Sequence, residues 1–157
     1  MSCPPSIATI RLTGLTALFA LGTAYPGLAD SPAAELASLD VTITGIKSNK
    51  GVIRLALCPP QAGFPDCKTK IVRSAALTIV DGIARTVLPG LAPGSYAISV
   101  FHDANANAKL DTFAGIPKEG YGFSRNPSFK PRAPKFTEAE ITVSGAVSTT
   151  IRLRYIL

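Results

Sequence analysis

The chain has 157 residues, a formal net charge of +6 and a single histidine, which suits one domain and excludes a multi-histidine metal centre. Apolar residues make up 46% and charged residues 17%, which excludes a disordered chain. Gly and Pro, at 13 each and without a repeat, favour a turn-rich β domain over a helical one.

The first element is an address rather than a fold. Leu12 to Leu21 is a short apolar run preceded by one charge, Arg11, and followed by Gly22, Pro26 and the small residues Gly27 and Ala29. This layout predicts a secretory signal peptide over residues 1–29, cut between Ala29 and Asp30. An uncleaved anchor is the alternative, but the run is half the roughly 20 residues that a membrane-spanning helix needs. Cleavage would leave 128 residues at a net charge of +5, since Arg11 is the only charge lost. The protein is then expected to be exported, to the periplasm or beyond, with no transmembrane span. Residues 30–38 read as a flexible lead-in and 39–157 as one domain.

Strand signals then recur along the chain. Val41 and Ile43 alternate with Thr42 and Thr44 between Leu39 and Ile46. After the turn Asn49-Lys50-Gly51, Ile53, Leu55 and Leu57 share one face of Val52–Cys58, and the two runs are expected to form a hairpin. Cys58 and Cys67 remain after cleavage, and an even pair in an exported chain predicts a disulfide closing the turn-rich loop between them. A redox-active pair is the other reading, though the spacing is not Cys-x-x-Cys. Ala75, Leu77 and Ile79 mark a third strand, Asp81-Gly82 a hairpin turn, and Ile83–Leu88 a fourth strand. Ser95–His102 is the fifth, with Tyr96, Ile98 and Val100 on the face of His102. A long irregular stretch over 103–135 precedes two final strands, Ala139–Val143 and Thr149–Ile156. About seven strands with period-2 alternation predict an all-β, antiparallel sandwich.

Chemistry concentrates after the fifth strand. Asp103, Asn105, Asn107 and Asp111 fall at relative positions 1, 3, 5 and 9, and the Lys109 carbonyl at position 7 adds an oxygen, which is the spacing of a calcium loop. Ala108 stands where such a loop has Gly, Ala114 stands where it has Glu, and Glu119 is the nearest later carboxylate. An Asx-turn loop bonded to its own backbone is the alternative, and another metal held with His102 is a third. His102 itself reads as a hydrogen-bonded residue at the core edge. Neither Gly-x-Ser-x-Gly nor a histidine pair is present, so no catalytic residues are assigned and no enzyme is expected.

Gly115 to Ser124 holds Tyr121 and Phe123 among three glycines, either packed or displayed as a binding lip. Asn126–Phe136 interleaves Lys130, Arg132 and Lys135 with Phe129 and Phe136. It is either a solvated loop or a contact surface for an envelope polysaccharide, a lipid headgroup or a protein. Nucleic acid is not an expected partner.

The run Leu91 to Asp103, the Asn105/Asn107/Leu110/Asp111 spacing, and Gly115-Ile116-Pro117-Lys118-Glu119-Gly120-Tyr121-Gly122-Phe123-Ser124 resemble the bacterial family called domain of unknown function 2141. The resemblance covers about residues 40–155. It implies an exported, immunoglobulin-like or transthyretin-like sandwich, and it supplies no catalytic residues. The family's loop carries glycines where this chain has Ala106 and Ala108. The leading expectation is a non-enzymatic ligand- or partner-binding module of the cell envelope with a calcium-type loop. A structural module that pairs through an edge strand is the alternative, and a metal-dependent enzyme using His102 the third reading.

Overall fold

The computed structural model describes residues 35–68 and 70–157; the expected leader lies outside them. Among the described residues ten strands form: β1 (Ala37–Thr44), β2 (Val52–Cys58), β3 (Arg73–Leu77), β4 (Ala84–Leu91), β5 (Gly94–Asp103), β6 (Thr112–Phe113), β7 (Ile116–Pro117), β8 (Tyr121–Phe123), β9 (Glu140–Val143) and β10 (Ala146–Arg152). A single helical turn, α1 (Phe136–Ala139), precedes β9. The expected all-β class holds. The three strands beyond seven are β6, β7 and β8, all short and all inside the stretch read as irregular. Strand β1 begins at Ala37, a buried residue, two positions before the expected start.

One sheet has the order β10-β1-β4, the other β3-β2-β5-β8 with β9 also on β5, and β6-β7 is a separate ribbon. The sheets do not close into a barrel. Pairing is antiparallel throughout except between β1 and β10, which run parallel from Ser38↔Ala146 to Thr44↔Arg152. Alternation explains the core. Leu39, Val41 and Ile43 of β1, Ile53, Leu55 and Leu57 of β2, and Ile98 and Val100 of β5 are buried between the sheets.

The expected hairpin of β1 and β2 does not form, because the strands lie in different sheets. The connection after β1 contains Ile46, which is itself buried in the core, so the chain arches across the sandwich instead of folding back. Asp81 and Gly82 do make a tight turn. Both have positive φ, 50° and 71°, and Val80 and Ile83 exchange two N–H···O bonds of 2.9 Å across it. That turn is a corner, since β3 and β4 also belong to different sheets.

On the far edge of β5, β8 pairs with Ser99–Phe101 and β9 with Gly94–Ala97. Ser124 fills the join. Its N–H donates to Ile98 O at 3.0 Å, its Oγ accepts Ile98 N–H at 2.9 Å, and its hydroxyl donates to Ala139 O.

Candidate binding face

The register of β2 with β5 runs from Val52↔Asp103 to Cys58↔Ala97. It places one structured loop at each end of the outer face of the five-stranded sheet. Beyond Asp103 lies the loop read as calcium-like; beyond Cys58 lies the cysteine loop.

Asp103 is fully shielded from water and organises its loop. Arg54 donates from Nε to its Oδ2 at 2.9 Å, Ala108 N–H donates to Oδ2 at 2.9 Å, and Asn107 N–H donates to Oδ1 at 2.9 Å. Burial alone would push this carboxyl's pKa up. The hydrogen bonds from Arg54, Ala108 and Asn107 outweigh it and hold the pKa below the usual carboxylate value. Glu119, also buried, accepts Ala104 N–H on Oε1 and Asp111 N–H on Oε2, at 3.1 and 3.0 Å. Asn105 and Asn107 each accept a backbone N–H on Oδ1, from Asn107 and Lys109 respectively, so their Nδ2 groups must face the other way. Those amides donate to the Asp111 carboxylate, at 2.8 Å from Asn105 and 3.1 Å from Asn107.

The residues expected as calcium ligands are thus brought together, but as a closed hydrogen-bond network. Calcium wants six to eight oxygens, whereas this loop turns two amide nitrogens inward and engages its carboxylates with N–H donors. The set as arranged does not fit the ion. The tight turns form without glycine: Ala106 and Ala108 take φ of 58° and 64°, a left-handed conformation costing roughly 1–2 kcal/mol per residue. Composition hides the residue that completes the network, Arg54, which stands diagonally across the β2–β5 ladder from Asp103.

His102 is buried at the core edge, as its alternation with Ile98 and Val100 predicts. Its Nε2 lies 2.7 Å from Lys50 O, an acceptor, so Nε2 carries the proton. Tyr155 Oη, 2.9 Å from Nδ1, therefore donates to the ring and itself accepts Lys47 N–H at 3.1 Å. Both ring nitrogens are occupied. Burial raises the Tyr155 pKa above its ordinary value, with the Lys47 hydrogen bond opposing and the charge of Glu119 adding to the rise. Among the described residues, no group of three His, Cys, Asp or Glu side chains is placed to hold a metal.

At the other end, Cys58 and Cys67 form a disulfide with Cα atoms 5.9 Å apart. The loop folds down on the sheet: Ala62 is buried with the cystine, Phe64 packs against them, and Ser99 Oγ donates to Pro65 O at 3.0 Å. Replacing both cysteines by alanine is expected to lower stability by about 2–3 kcal/mol through the freed loop entropy, read by urea denaturation. Equal midpoints for variant and wild type would contradict this.

Between the two loops the sheet's outer face forms an open trough of about 400 Å³. Ala56, Ser74, Ala76 and Ser99 line it with small side chains, Phe101 and Ile71 with large apolar ones. Arg54 also lines it. Its Nε is bound to Asp103, while its two terminal amino groups have no partner among the described residues.

The expected contact residues sit beside this trough and divide. Tyr121 and Phe123 on β8 are half-buried and packed edge-on, 5.8 Å apart, with Phe64 5.7 Å from Phe123. Lys130 and Arg132 turn back onto Glu138: Lys130 Nζ lies 2.6 Å from Oε1, and Arg132 forks across both oxygens at 2.8 and 3.0 Å. Glu138 also accepts Lys135 N–H at 2.7 Å. Hydrogen bonds from Arg132, Lys130 and Lys135 hold its pKa far below the usual value. Of the three basic residues, Lys135 alone keeps a side chain free of such an ion pair. The cleft between β8 and this loop measures about 20 Å³, room for one water.

Fold and face together define an open β-sandwich carrying two loop-walled ends on one sheet. Residues 41–151 match the family model described as an uncharacterized protein conserved in bacteria (DUF2141), and the chain belongs to that family, domain of unknown function 2141. No curated protein and no solved structure matches the chain. Among the described residues, no helix is long and apolar enough to cross a membrane.

Proposed function

We propose that the protein is an exported, non-catalytic binding module of the cell envelope, and that the trough on its five-stranded sheet takes a small apolar ligand bearing an anionic group. The trough carries this reading: its lining is mostly small and apolar, and the terminal N–H groups of Arg54, whose charge Asp103 already pairs, are left as donors for an anionic group. The Asp103 loop acts as a lock that fixes Arg54, not as an ion carrier. Non-catalysis is supported by His102, whose two nitrogens are both engaged, and by Asp103, whose two oxygens both accept donors. Export is supported by the leader-like sequence and by the disulfide. The edge-pairing alternative is weaker, because edge strand β4 carries Pro89, β3 is short and begins with Arg73, and Asn126 occupies Thr150 O and Arg152 N–H on edge strand β10.

Anilinonaphthalene sulfonate, an aromatic anion, is the probe. Its fluorescence is expected to rise on binding, more than that of uncharged N-phenylnaphthylamine. Filling the trough with Ala76→Trp, at an exposed position, should weaken binding by at least about tenfold without lowering the melting temperature. Undiminished binding to that variant would sink the reading, as would no enhancement by the wild type.

A further inference from the structure

The aromatic side chain most exposed on this domain belongs to neither site described above. Phe113, 67% exposed, faces Ile116, 41% exposed, as a direct cross-strand pair at the tip of the β6–β7 ribbon. Ala114 and Gly115 turn the chain between them with φ of 48° and 78°. The ribbon is held rigidly at its base, where Lys118 N–H donates to Asp111 O at 2.9 Å and Glu119 accepts the N–H groups of Ala104 and Asp111. A tip of two large apolar side chains is therefore fixed in water by a buried polar network.

Charge on this finger is sorted by direction. Glu119 is buried and accepts two backbone N–H groups, while the half-buried Asp111 accepts the side-chain amides of Asn105 and Asn107. Lys109 and Lys118, four residues before Phe113 and two after Ile116, are exposed and have no carboxylate partner among the described residues. The exposed Phe129 differs, since its neighbours Lys130 and Arg132 are both held by the carboxylate of Glu138. Unpaired cations beside a small apolar tip match one surface well: anionic lipid headgroups over a shallow apolar layer.

We propose that the β6–β7 ribbon is a docking finger for anionic membrane surfaces, inserting Phe113 and Ile116 while Lys109 and Lys118 meet the headgroups. This is independent of what the trough binds.

The chain contains no tryptophan, so Phe113→Trp is a sole fluorescent reporter. Its emission should shift to the blue with phosphatidylglycerol vesicles and not with phosphatidylcholine vesicles. Val87→Trp, at an exposed position on β4, is the control and should not shift. Adding Lys109→Gln and Lys118→Gln to the reporter chain should weaken partitioning roughly thirtyfold. No shift with phosphatidylglycerol would overturn the proposal. So would an equal shift from Val87→Trp, an equal shift with neutral vesicles, or partitioning that survives loss of both lysines.

Discussion

Asp103→Ala is expected to destabilise the fold by about 2–3 kcal/mol, the consequence of taking one shared acceptor from three donors at once. The substitution strips Arg54 Nε, Asn107 N–H and Ala108 N–H of their acceptor at once. It also frees two alanines from the left-handed turns that the carboxylate stabilises. Asp103→Asn keeps one acceptor oxygen but no charge, and should lose an intermediate amount. The sign of the pH effect follows from the lowered pKa. Because the folded state holds the proton less tightly than the unfolded chain, the contribution is complete above the ordinary carboxylate value of about 4 and is lost as pH falls below it. Urea denaturation at neutral and acid pH should therefore show a shallower acid limb in Asp103→Asn than in wild type. A loss under about 1 kcal/mol for Asp103→Ala would remove the lock. The same lock predicts that millimolar calcium leaves the wild-type melting temperature where a chelator puts it; a rise with calcium would restore the ion-loop reading.

Side-chain alternation made the large strands legible, because period-2 burial writes itself into residues such as Leu39, Val41 and Ile43. It could not say which strands pair. A turn such as Asn49-Lys50-Gly51 reverses the chain locally, but whether the strand that follows rejoins its own sheet depends on where Ile46 is buried, a tertiary matter. The short strands β6 to β8 were illegible for another reason: two or three residues are too few to show a period. At the site, the Asp and Asn positions were readable from their spacing, since local Asx bonds depend on near neighbours. Their non-local partners were not. Arg54 lies 49 residues before Asp103, and Glu138 lies 8 residues beyond Lys130. In both cases the chain alone offered no partner for the charge. The alternation around His102 did place it at the core edge, whereas its partner Tyr155 is 53 residues away.

Gly51→Ala should be at least as damaging as losing Asp103, for a purely steric reason. Gly51 has a φ of 71°, and a Cβ built there overlaps Asp103 O and lies 2.7 Å from Ala104 Cα and 2.8 Å from Asp103 C. All three atoms are backbone, so no side chain can swing aside; β2 and the end of β5 must separate. That separation would pull Lys50 O from His102 on one side and displace Asp103 from Arg54 on the other. Gly145→Ala supplies the reference. Gly145 has a similar φ of 66° but nothing within 4 Å of its Cβ position, so it isolates the left-handed strain at roughly 1–2 kcal/mol. Gly51→Ala is expected to exceed it by about 2 kcal/mol or more, in the range of overpacking a rigid site. Equal denaturation midpoints for the two variants would mean that β2 and the Asp103 loop are not in contact as described. A large difference would show that the close approach of Gly51 to the Asp103 backbone, not left-handed strain, sets the cost.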